Sequence, residues 1–239
     1  MWKNKKVSVI FPAFNEEENI LQAIEDFFSC RYVDEIVVVD NNSTDRTPDL
    51  VKRTKARLVK ETRPGLGWAI RRGLKEAAGD YIIIAEPDGT FIGKDVEKLL
   101  VYSDEFDLVL GTRTSKGLIW KGANMKGLLR WGNWVAAKFL EILFNGPSLT
   151  DVGCTMRLIK KEKLNQIIDK LTVGGSHCNP ELVILSLLYN FKVVEIPLNY
   201  LPRKGYSKIT GKWTNVIKVG VKMVLLMLKY RIKSIFKKI

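Results

Sequence analysis

Two carboxylates in the turn Glu86-Pro87-Asp88 follow directly after the apolar run Tyr81-Ile-Ile-Ile-Ala85. Carboxylates at positions i and i+2 of a turn can both reach a hard divalent cation. Mg²⁺ or Mn²⁺ is commonly held by one or two carboxylates, water and a substrate phosphate. The same residues would also suit an ordinary turn, in which Asp88-Gly89 reverses the chain and Glu86 is solvated. The turn therefore predicts either a metal-assisted phosphate chemistry or a simple chain reversal.

Polar turns also follow two other apolar runs. Pro12-Ala-Phe-Asn-Glu16 places a carboxylate beside an aromatic ring, although Glu16 would also suit the first turn of a helix. Asp40-Asn-Asn-Ser-Thr-Asp45 begins with a carboxylate that can accept hydrogen bonds from base N–H groups or ribose hydroxyls, while its later members would suit helix capping. Ligands of open α/β sheets bind at the carboxyl ends of the strands, so the three turns predict one shared site.

Strands and helices alternate through roughly the first 112 residues, and the main strands are near-continuous apolar runs. This pattern is typical of a parallel sheet covered by helices on both faces. We predict strands at 7–11, 35–40, 57–61, 81–85 and 108–111, with helices from residue 16 and at 46–54, 66–78 and 94–103. Further on we predict helical segments within 119–144, a turn and strand within 151–160, a helix at 180–189, a strand at 192–199 and a long helix over 213–239.

Several segments, taken in order, resemble the inverting family 2 glycosyltransferases. They are Val9-Ile-Phe-Pro-Ala-Phe-Asn-Glu16, Ile36-Val-Val-Val-Asp-Asn-Asn-Ser-Thr-Asp45 and Ile83-Ile-Ala-Glu-Pro-Asp88. Three later segments are similar to the polyprenyl-phosphate branch, typified by dolichyl-phosphate mannose synthase: Gly111-Thr-Arg113, Thr150-Asp-Val-Gly-Cys-Thr-Met-Arg157 and Arg203-Lys-Gly-Tyr-Ser-Lys208. The resemblance covers about residues 7–210 and implies a GT-A fold, an α/β fold with a mostly parallel central sheet flanked by helices.

The resemblance also implies roles for individual residues. Glu86 and Asp88 match an Asp-x-Asp motif for Mg²⁺ or Mn²⁺, and because Glu is longer by one methylene we expect Asp88 to be the principal ligand. Four basic residues match positions around the diphosphate and the acceptor phosphate: Arg113, Arg157, Arg203 and Lys208. Asp151 matches the acid before the arginine-bearing strand. Nucleotide-sugar binding is assigned to Pro12, Phe14, Glu16, Asp40, Asn42, Glu86, Pro87 and Asp88, and catalysis to Asp151, Arg113, Arg157, Arg203 and Lys208.

The implied reaction transfers a hexose from GDP-mannose or a UDP-hexose to polyprenyl or dolichyl phosphate. A lipid phosphate is already an anion, so the reaction needs positioning and neutralisation of the departing diphosphate more than a strong base. If the acceptor were a sugar hydroxyl in glycan assembly, a carboxylate base would be needed, and Asp151 would be the candidate. A third hypothesis is a catalytically silent, nucleotide-binding partner protein.

The net charge of +13 is unevenly distributed. No acidic residue follows Glu195, whereas 11 basic residues do, and six more basic residues lie in the acid-free stretch 108–140. The remainder is slightly acidic, so the two basic segments predict anionic partners such as phosphates or lipid head groups. Nucleic acid is not expected, because the chain lacks RRM, KH and zinc-finger patterns.

The last predicted helix carries lysines on one stripe. We therefore divide the chain into a catalytic domain at 1–212 and a basic amphipathic helix at 213–239 that lies on an anionic membrane surface. The alternatives are a helix packed on the body with a solvated lysine face, or a contact surface for a small membrane protein or a second copy of the chain. The stripe consists of Lys218, Lys222, Lys229, Lys233 and Lys237, at spacings of 4, 7, 4 and 4.

Cysteine usage and the amino terminus predict a cytosolic location, peripheral on the cytosolic face of a membrane. The three cysteines form no Cys-x-x-Cys pair, which fits a reducing compartment. The apolar run behind the basic residues 1–6 is short and contains Pro12, so it is a poor signal-peptide core. A single histidine, His177, excludes a His-rich zinc site.

Overall fold

The computed structural model describes residues 1–123, 125, 127–204 and 213–236. Within these ranges the strands are β1 (Val7–Ala13), β2 (Glu35–Asp40), β3 (Arg57–Lys60), β4 (Tyr81–Ile84), β5 (Leu108–Thr112), β6 (Arg157–Lys160) and β7 (Val193–Pro197). The α-helices are α1 (Ile20–Ser29), α2 (Thr47–Val51), α3 (Leu66–Glu76), α4 (Asp95–Tyr102), α5 (Gly127–Phe144), α6 (Lys161–Ile167), α7 (Asn179–Leu188) and α8 (Trp213–Ile235).

The strands form one sheet in the order β3-β2-β1-β4-β6-β5-β7. Every neighbouring pair is parallel except the two made by β6, which runs antiparallel between β4 and β5. The predicted mostly parallel sheet is therefore confirmed. Because β1, β2, β4 and β5 point the same way, the turns that follow them reach the same edge of the sheet.

Alternate side chains of the central strands enter two apolar layers. Ile10 and Ile82 belong to the layer that includes side chains of α3, α5, α7 and α8, whereas Val9 and Ile83 belong to the layer that includes α1 and α4. Successive strand residues face opposite sides, so a strand buried on both sides must be apolar throughout. All seven residues of β1 are buried, as its sequence pattern requires.

Helix α1 begins later than the sequence predicts. The amides of Asn19 and Ile20 donate to the carbonyl of Glu16 at 3.0 and 2.8 Å, so residues 16–19 form a turn and the helix starts at Ile20. The prediction of first-turn acids in this helix was therefore wrong, and the Glu16 side chain is directed elsewhere. The structure also contains α6, which the sequence patterns did not predict.

Helix α8 packs against α5 and α7 and contributes to the same core as the sheet. Its buried side chains include Met223, Met227 and Tyr230. The Tyr230 hydroxyl donates at 2.8 Å to Oε1 of the buried Glu181 at the start of α7. The predicted boundary at residue 212 lies outside the described residues, so the division into two domains stays a prediction.

The loop 171–175 is held between α8 and the start of α3. Glu181, the partner of Tyr230, also accepts hydrogen bonds from the amides of Thr172 and Val173. On the other side of the loop, the Gly67 amide donates to the Gly174 carbonyl at 2.9 Å. A Cβ at Gly67 would overlap the Val173 carbonyl oxygen. This close approach explains why a glycine occupies the second position of α3.

We therefore expect Gly67→Ala to destabilise the protein by about 1–3 kcal/mol, because the added methyl has no space in this contact. Gly220→Ala in α8 is the matched control, since a Cβ there meets no atom within 4 Å. The control should be neutral or stabilising by up to about 1 kcal/mol, as expected for a glycine removed from a helix interior. Urea unfolding followed by circular dichroism measures both. Equal effects of the two substitutions would contradict the packing argument.

Candidate active site

Three carboxylates from two turns surround the guanidinium of Arg203 at the carboxyl edge of the sheet. Nη1 of Arg203 lies 2.9 Å from Oδ2 of Asp88 and 3.9 Å from Oε2 of Glu86, and Nη2 lies 3.3 Å from Oε1 of Glu16. Glu16 follows β1, and Glu86 and Asp88 follow β4, its neighbour in the sheet. The structure thus brings together four of the residues that the sequence predicts for the site, and we call them the acidic cluster with Arg203.

Neighbouring polar groups fix the orientation of each carboxylate. Asn19 donates to Oε2 of Glu16 at 2.9 Å, and the Thr155 hydroxyl donates to Oε1 of Glu86. Both the amide and the hydroxyl of Thr90 donate to Oδ1 of Asp88. These contacts leave Oδ2 of Asp88 and Oε2 of Glu86 directed toward Arg203.

The segment that carries Arg203 is bound to the same turns through its backbone. The amide of Leu201 donates to the Thr90 carbonyl at 3.0 Å, and the amide of Lys204 donates to the Asp88 carbonyl at 3.2 Å. The Lys204 carbonyl in turn accepts from Asn19 at 3.3 Å. Lys208, which the sequence places among the catalytic residues, lies outside the described residues.

Burial changes the acidity of the cluster. Removal from water raises the pKa of Glu16 to about 7, against the opposing effects of the Asn19 hydrogen bond and the Arg203 charge. Burial and the nearby charge of Asp88 also raise the pKa of Glu86. If all three carboxylates are ionised, one guanidinium leaves the cluster with two uncompensated negative charges, which favours the uptake of further positive charge.

Arg113 and Asp151 form a buried ion pair beside this cluster. Nε and Nη2 of Arg113 donate to Oδ2 and Oδ1 of Asp151 at 2.7 and 2.9 Å. Burial alone would lower the pKa of Arg113, but the charge and hydrogen bonds of Asp151 raise it well above the usual value. The Asp151 oxygens also accept from the amides of Arg113 and Gly153, so Asp151 holds the arginine and the turn in place. An occupied carboxylate of this kind is poorly suited to act as a general base.

Arg157 is oriented into the protein interior. It is 2% exposed, and its guanidinium donates to the carbonyls of Cys154 and Asn179. Among the described residues, no hydrogen bond or ion pair joins Arg157 to the acidic cluster. It lines a small cavity together with Arg71 and Glu181. The role of Arg157 at the diphosphate stays a prediction.

The residues assigned to the base and ribose lie at the ends of β1 and β2. Pro12 pairs with Val39 in the sheet, and Asp40 is 6% exposed, with its Oδ1 accepting from the Ser43 amide. The ring of Phe14 is 36% exposed beside them. Asn42 donates to the Thr62 carbonyl at 3.0 Å and so faces the loop after β3. Pro87 is buried between the two acids of its turn.

The donor atoms of the acidic cluster suit a hard divalent cation, since Mg²⁺ and Mn²⁺ prefer carboxylate oxygens. No group of three His, Cys, Asp or Glu side chains within the described ranges is arranged to hold a metal ion. A site completed by water and substrate phosphate needs only one or two carboxylates. Asp88 and Glu86 each present one oxygen whose only partner among the described residues is Arg203, so they fit this second kind of site.

A family model described as glycosyl transferase family 2 matches residues 8–168 of the chain. The chain belongs to glycosyl transferase family 2. An uncharacterized glycosyltransferase of Mycobacterium bovis is 33% identical over 209 residues, covering 86% of this chain and 90% of that protein. The low-salt glycan biosynthesis hexosyltransferase Agl6 of Haloferax volcanii is 29% identical, covering 85% of this chain. The chain spans 49% of the length of Agl6.

Solved structures show that this family 2 glycosyltransferase has the GT-A fold. Glucosyl-3-phosphoglycerate synthase from Mycobacterium tuberculosis superimposes with a TM-score of 0.74 at 19% identity, covering 95% of this chain and 80% of that one. That protein was crystallised with Mn²⁺, UDP and glucosyl-3-phosphoglycerate. A second structure of it, with Mn²⁺, UDP-glucose and phosphoglyceric acid, gives a TM-score of 0.75. The fold expected from the sequence is therefore confirmed.

Three residues that support the site were given no role on the basis of the sequence. Asn41 bridges the carbonyls of Glu61 and Arg63 to the amide of Gly65, and so shapes the loop after β3. Thr155 orients Glu86, and Glu195 accepts from the amides of residues 150 and 151. An acid inside the otherwise apolar β7 is a signal that could have identified Glu195. Thr155 carries no such signal.

The raised pKa of Glu16 predicts how stability depends on pH. Between about pH 4.5 and pH 7 the folded protein keeps a proton on Glu16 that the unfolded chain releases, so stability should fall as pH rises through this window. We expect Glu16→Gln to flatten this slope, while the exposed neighbour Glu18→Gln keeps the wild-type slope. Urea unfolding across this pH range, in the presence of a chelator, measures it. A wild-type slope in Glu16→Gln would contradict the burial argument.

Proposed function

We propose that this family 2 glycosyltransferase moves a hexose from a nucleotide sugar, GDP-mannose or a UDP-hexose, to polyprenyl or dolichyl phosphate. The acidic cluster with Arg203 is the observation that carries the proposal. It gathers acidic and basic groups at the sheet edge where ligands of α/β folds bind. The UDP and UDP-glucose complexes of glucosyl-3-phosphoglycerate synthase support a nucleotide-sugar donor.

The state of Asp151 supports a phosphate acceptor. Transfer to a sugar hydroxyl would require a carboxylate that accepts a proton, and Asp151 is fully occupied by Arg113 and backbone amides. A phosphate oxygen needs no such base and benefits from a nearby guanidinium with bidentate geometry. Arg113 is 16% exposed at its side chain and is held in one orientation, so it can receive that phosphate with little reordering.

Asp88 and Glu86 would hold Mg²⁺ or Mn²⁺ through the oxygens that face Arg203 in this structure. When bound, the cation supplies charge neutralisation for the departing nucleoside diphosphate. Arg203 adds a guanidinium beside the same position, and Glu16 and Asp40 would hydrogen-bond the base and ribose. Each of these residues positions the donor or stabilises developing charge, and these are the main requirements of transfer to an anion.

We further propose that the protein works on the cytosolic face of a membrane, with α8 lying on the lipid surface. No helix in the described part of the chain is long and apolar enough to cross a bilayer. Helix α8 nevertheless exposes a second apolar stripe, separate from the side chains that it buries in the core. The stripe consists of Ile217, Val221, Val224, Leu228, Ile232 and Ile235, each 36–64% exposed.

The lysines of α8 border this apolar stripe. Lys218, Lys222, Lys229 and Lys233 are exposed, and each follows directly after a member of the stripe. Lys237 lies outside the described residues. An apolar stripe bordered by lysines is the arrangement that binds an anionic interface, because the apolar side chains enter the acyl region while the ammonium groups remain at the head groups.

Helix α5, which packs against α8, contributes exposed tryptophans. Trp131 and Trp134 are 61% and 41% exposed, and their ring centroids lie 5.5 Å apart. Indole rings favour the membrane interface because they combine an apolar body with a polar N–H. They extend the proposed membrane surface beyond the helix that the sequence indicated.

A transfer assay tests the proposed reaction. Purified protein is incubated with polyprenyl phosphate, Mg²⁺ or Mn²⁺ and a panel of labelled GDP- and UDP-sugars, and label in extracted lipid is counted. We expect labelled lipid with at least one donor. Transfer to a saccharide alone would replace the proposal with the glycan-hydroxyl reaction, and nucleotide binding without transfer would indicate a silent partner protein.

In the same assay, Asp88→Asn should reduce turnover by about 10²–10³-fold, because it removes the charge but keeps the shape of the side chain. Asp104→Asn, at an exposed carboxylate paired with Lys3, is the matched control and should leave turnover unchanged. Undiminished activity of Asp88→Asn would remove Asp88 from the proposed role.

Vesicle flotation tests the membrane surface. Replacing Val221, Leu228 and Ile232 together by Gln should abolish binding to phosphatidylglycerol vesicles while leaving the buried side of α8 intact. Val101→Gln on α4, where Val101 is 52% exposed, is the control and should float like wild type. The proposal fails if the wild type does not bind vesicles. If the wild type then sediments as a dimer and the triple variant as a monomer, the stripe is a contact surface for a second copy of the chain instead.

A further inference from the structure

We infer that Arg203 acts as a tethered competitor of the divalent cation, occupying the cation's position in the ligand-free protein and leaving it when metal and nucleotide enter. The inference rests on the proposed function, since it concerns the same carboxylates. It adds a property that the reaction alone does not require, namely that one arginine opposes metal binding before nucleotide binding and supports nucleotide binding afterward.

The first observation is the position of Nη1. It lies within 4 Å of Oδ2 of Asp88 and Oε2 of Glu86, the two oxygens that no other side chain of the described residues contacts. The remaining oxygens of the two acids accept from Thr90 and Thr155. A cation bound by both acids through these oxygens must therefore take the place of Nη1, and the guanidinium must move.

The second observation is the charge of the cluster. Three carboxylates face a single guanidinium, so Arg203 can compensate at most one of their negative charges. A divalent cation would neutralise the carboxylates more completely and would release Arg203 toward another anion.

The third observation is the way Arg203 is attached. The backbone on either side is bound to the acidic turns through Leu201 and Lys204, so the side chain can move while its Cα stays close. Its guanidinium is only partly enclosed, with 26% of the side chain exposed, and its Nε is buried without a hydrogen-bond partner among the described residues. A diphosphate near the cation would offer oxygens in the bidentate geometry that a guanidinium prefers.

Because Arg203 competes with the metal ion but assists the nucleotide, removing its guanidinium should have two effects of opposite sign. Removing the guanidinium should tighten the binding of Mn²⁺ alone, because the carboxylates become available. The same substitution should weaken the binding of GDP or UDP in the presence of Mn²⁺, because a contact to the diphosphate is lost. A residue that merely stabilises the fold would weaken both.

Mn²⁺ binding is measured from the electron paramagnetic resonance signal of the free ion, and nucleotide binding by calorimetry with GDP and UDP. We expect Arg203→Gln to bind Mn²⁺ about tenfold more tightly than wild type without nucleotide, a factor within the range of ordinary site-to-site coupling. With saturating Mn²⁺ it should bind GDP or UDP about tenfold more weakly. Lys204→Gln removes the same charge from the adjacent position and is the control for general electrostatics. It should change Mn²⁺ binding much less.

Arg203→Lys provides a second measurement, which remains possible even if the fold does not accommodate a neutral Gln at position 203. It keeps the charge but loses the planar fork, so its Mn²⁺ affinity should lie between those of wild type and Arg203→Gln. If Arg203→Gln binds Mn²⁺ no more tightly than Lys204→Gln, the competition is refuted while the proposed transfer reaction stands. If no variant and no wild-type sample binds Mn²⁺ even with nucleotide, the metal role in the proposed function fails as well.

Discussion

Carboxylates removed from water require positive charge, and this requirement organises the functional edge of the sheet. Glu16, Glu86 and Asp88 follow two neighbouring strands, so the fold places them together regardless of their mutual repulsion. Arg203 reaches them from a segment more than 100 residues further along the chain. The Arg113–Asp151 pair solves the same problem beside them with one acid and one base. The Arg113–Asp151 pair is thus neutral, whereas the acidic cluster with Arg203 retains negative charge. The neutral pair holds its loop in place, and the charged cluster is the place where cations can bind.

The two sides of helix α8 have different roles. Its buried side joins the core through Met227 and Tyr230, and the Tyr230–Glu181 hydrogen bond fixes the loop that packs on Gly67 at the start of α3. Its other side presents apolar residues bordered by lysines to the surroundings. A deletion of α8 would therefore disturb the core as well as the proposed lipid contact. Point substitutions on the exposed stripe separate the two effects.

Much of this arrangement is predictable from sequence because strong local signals coincide with the fold. β2 has the predicted bounds, since an apolar run between two acids leaves little ambiguity. The rule that ligands bind at carboxyl ends of strands predicted one region for Glu16, Glu86 and Asp88, and the structure brings them together around Arg203. The orientation of Arg157 was not predictable, because it depends on β6 inserting antiparallel between β4 and β5. The exposed stripe of α8 likewise emerges only when its packing partners are known.

The antiparallel insertion of β6 also has a consequence for how the protein folds. β1, β2, β3 and β4 pair with one another and lie before residue 85, so their edge, with Glu16 and Glu86, can form without any later strand. β5 does not pair with β4. It joins the sheet only through β6, which follows α5 and begins 45 residues after β5 ends at Thr112, and through β7. Closing the loop between β5 and β6 costs conformational entropy before the contacts between these strands can offset that cost. We therefore expect the half that carries Arg113 to fold after the half that carries the acidic cluster.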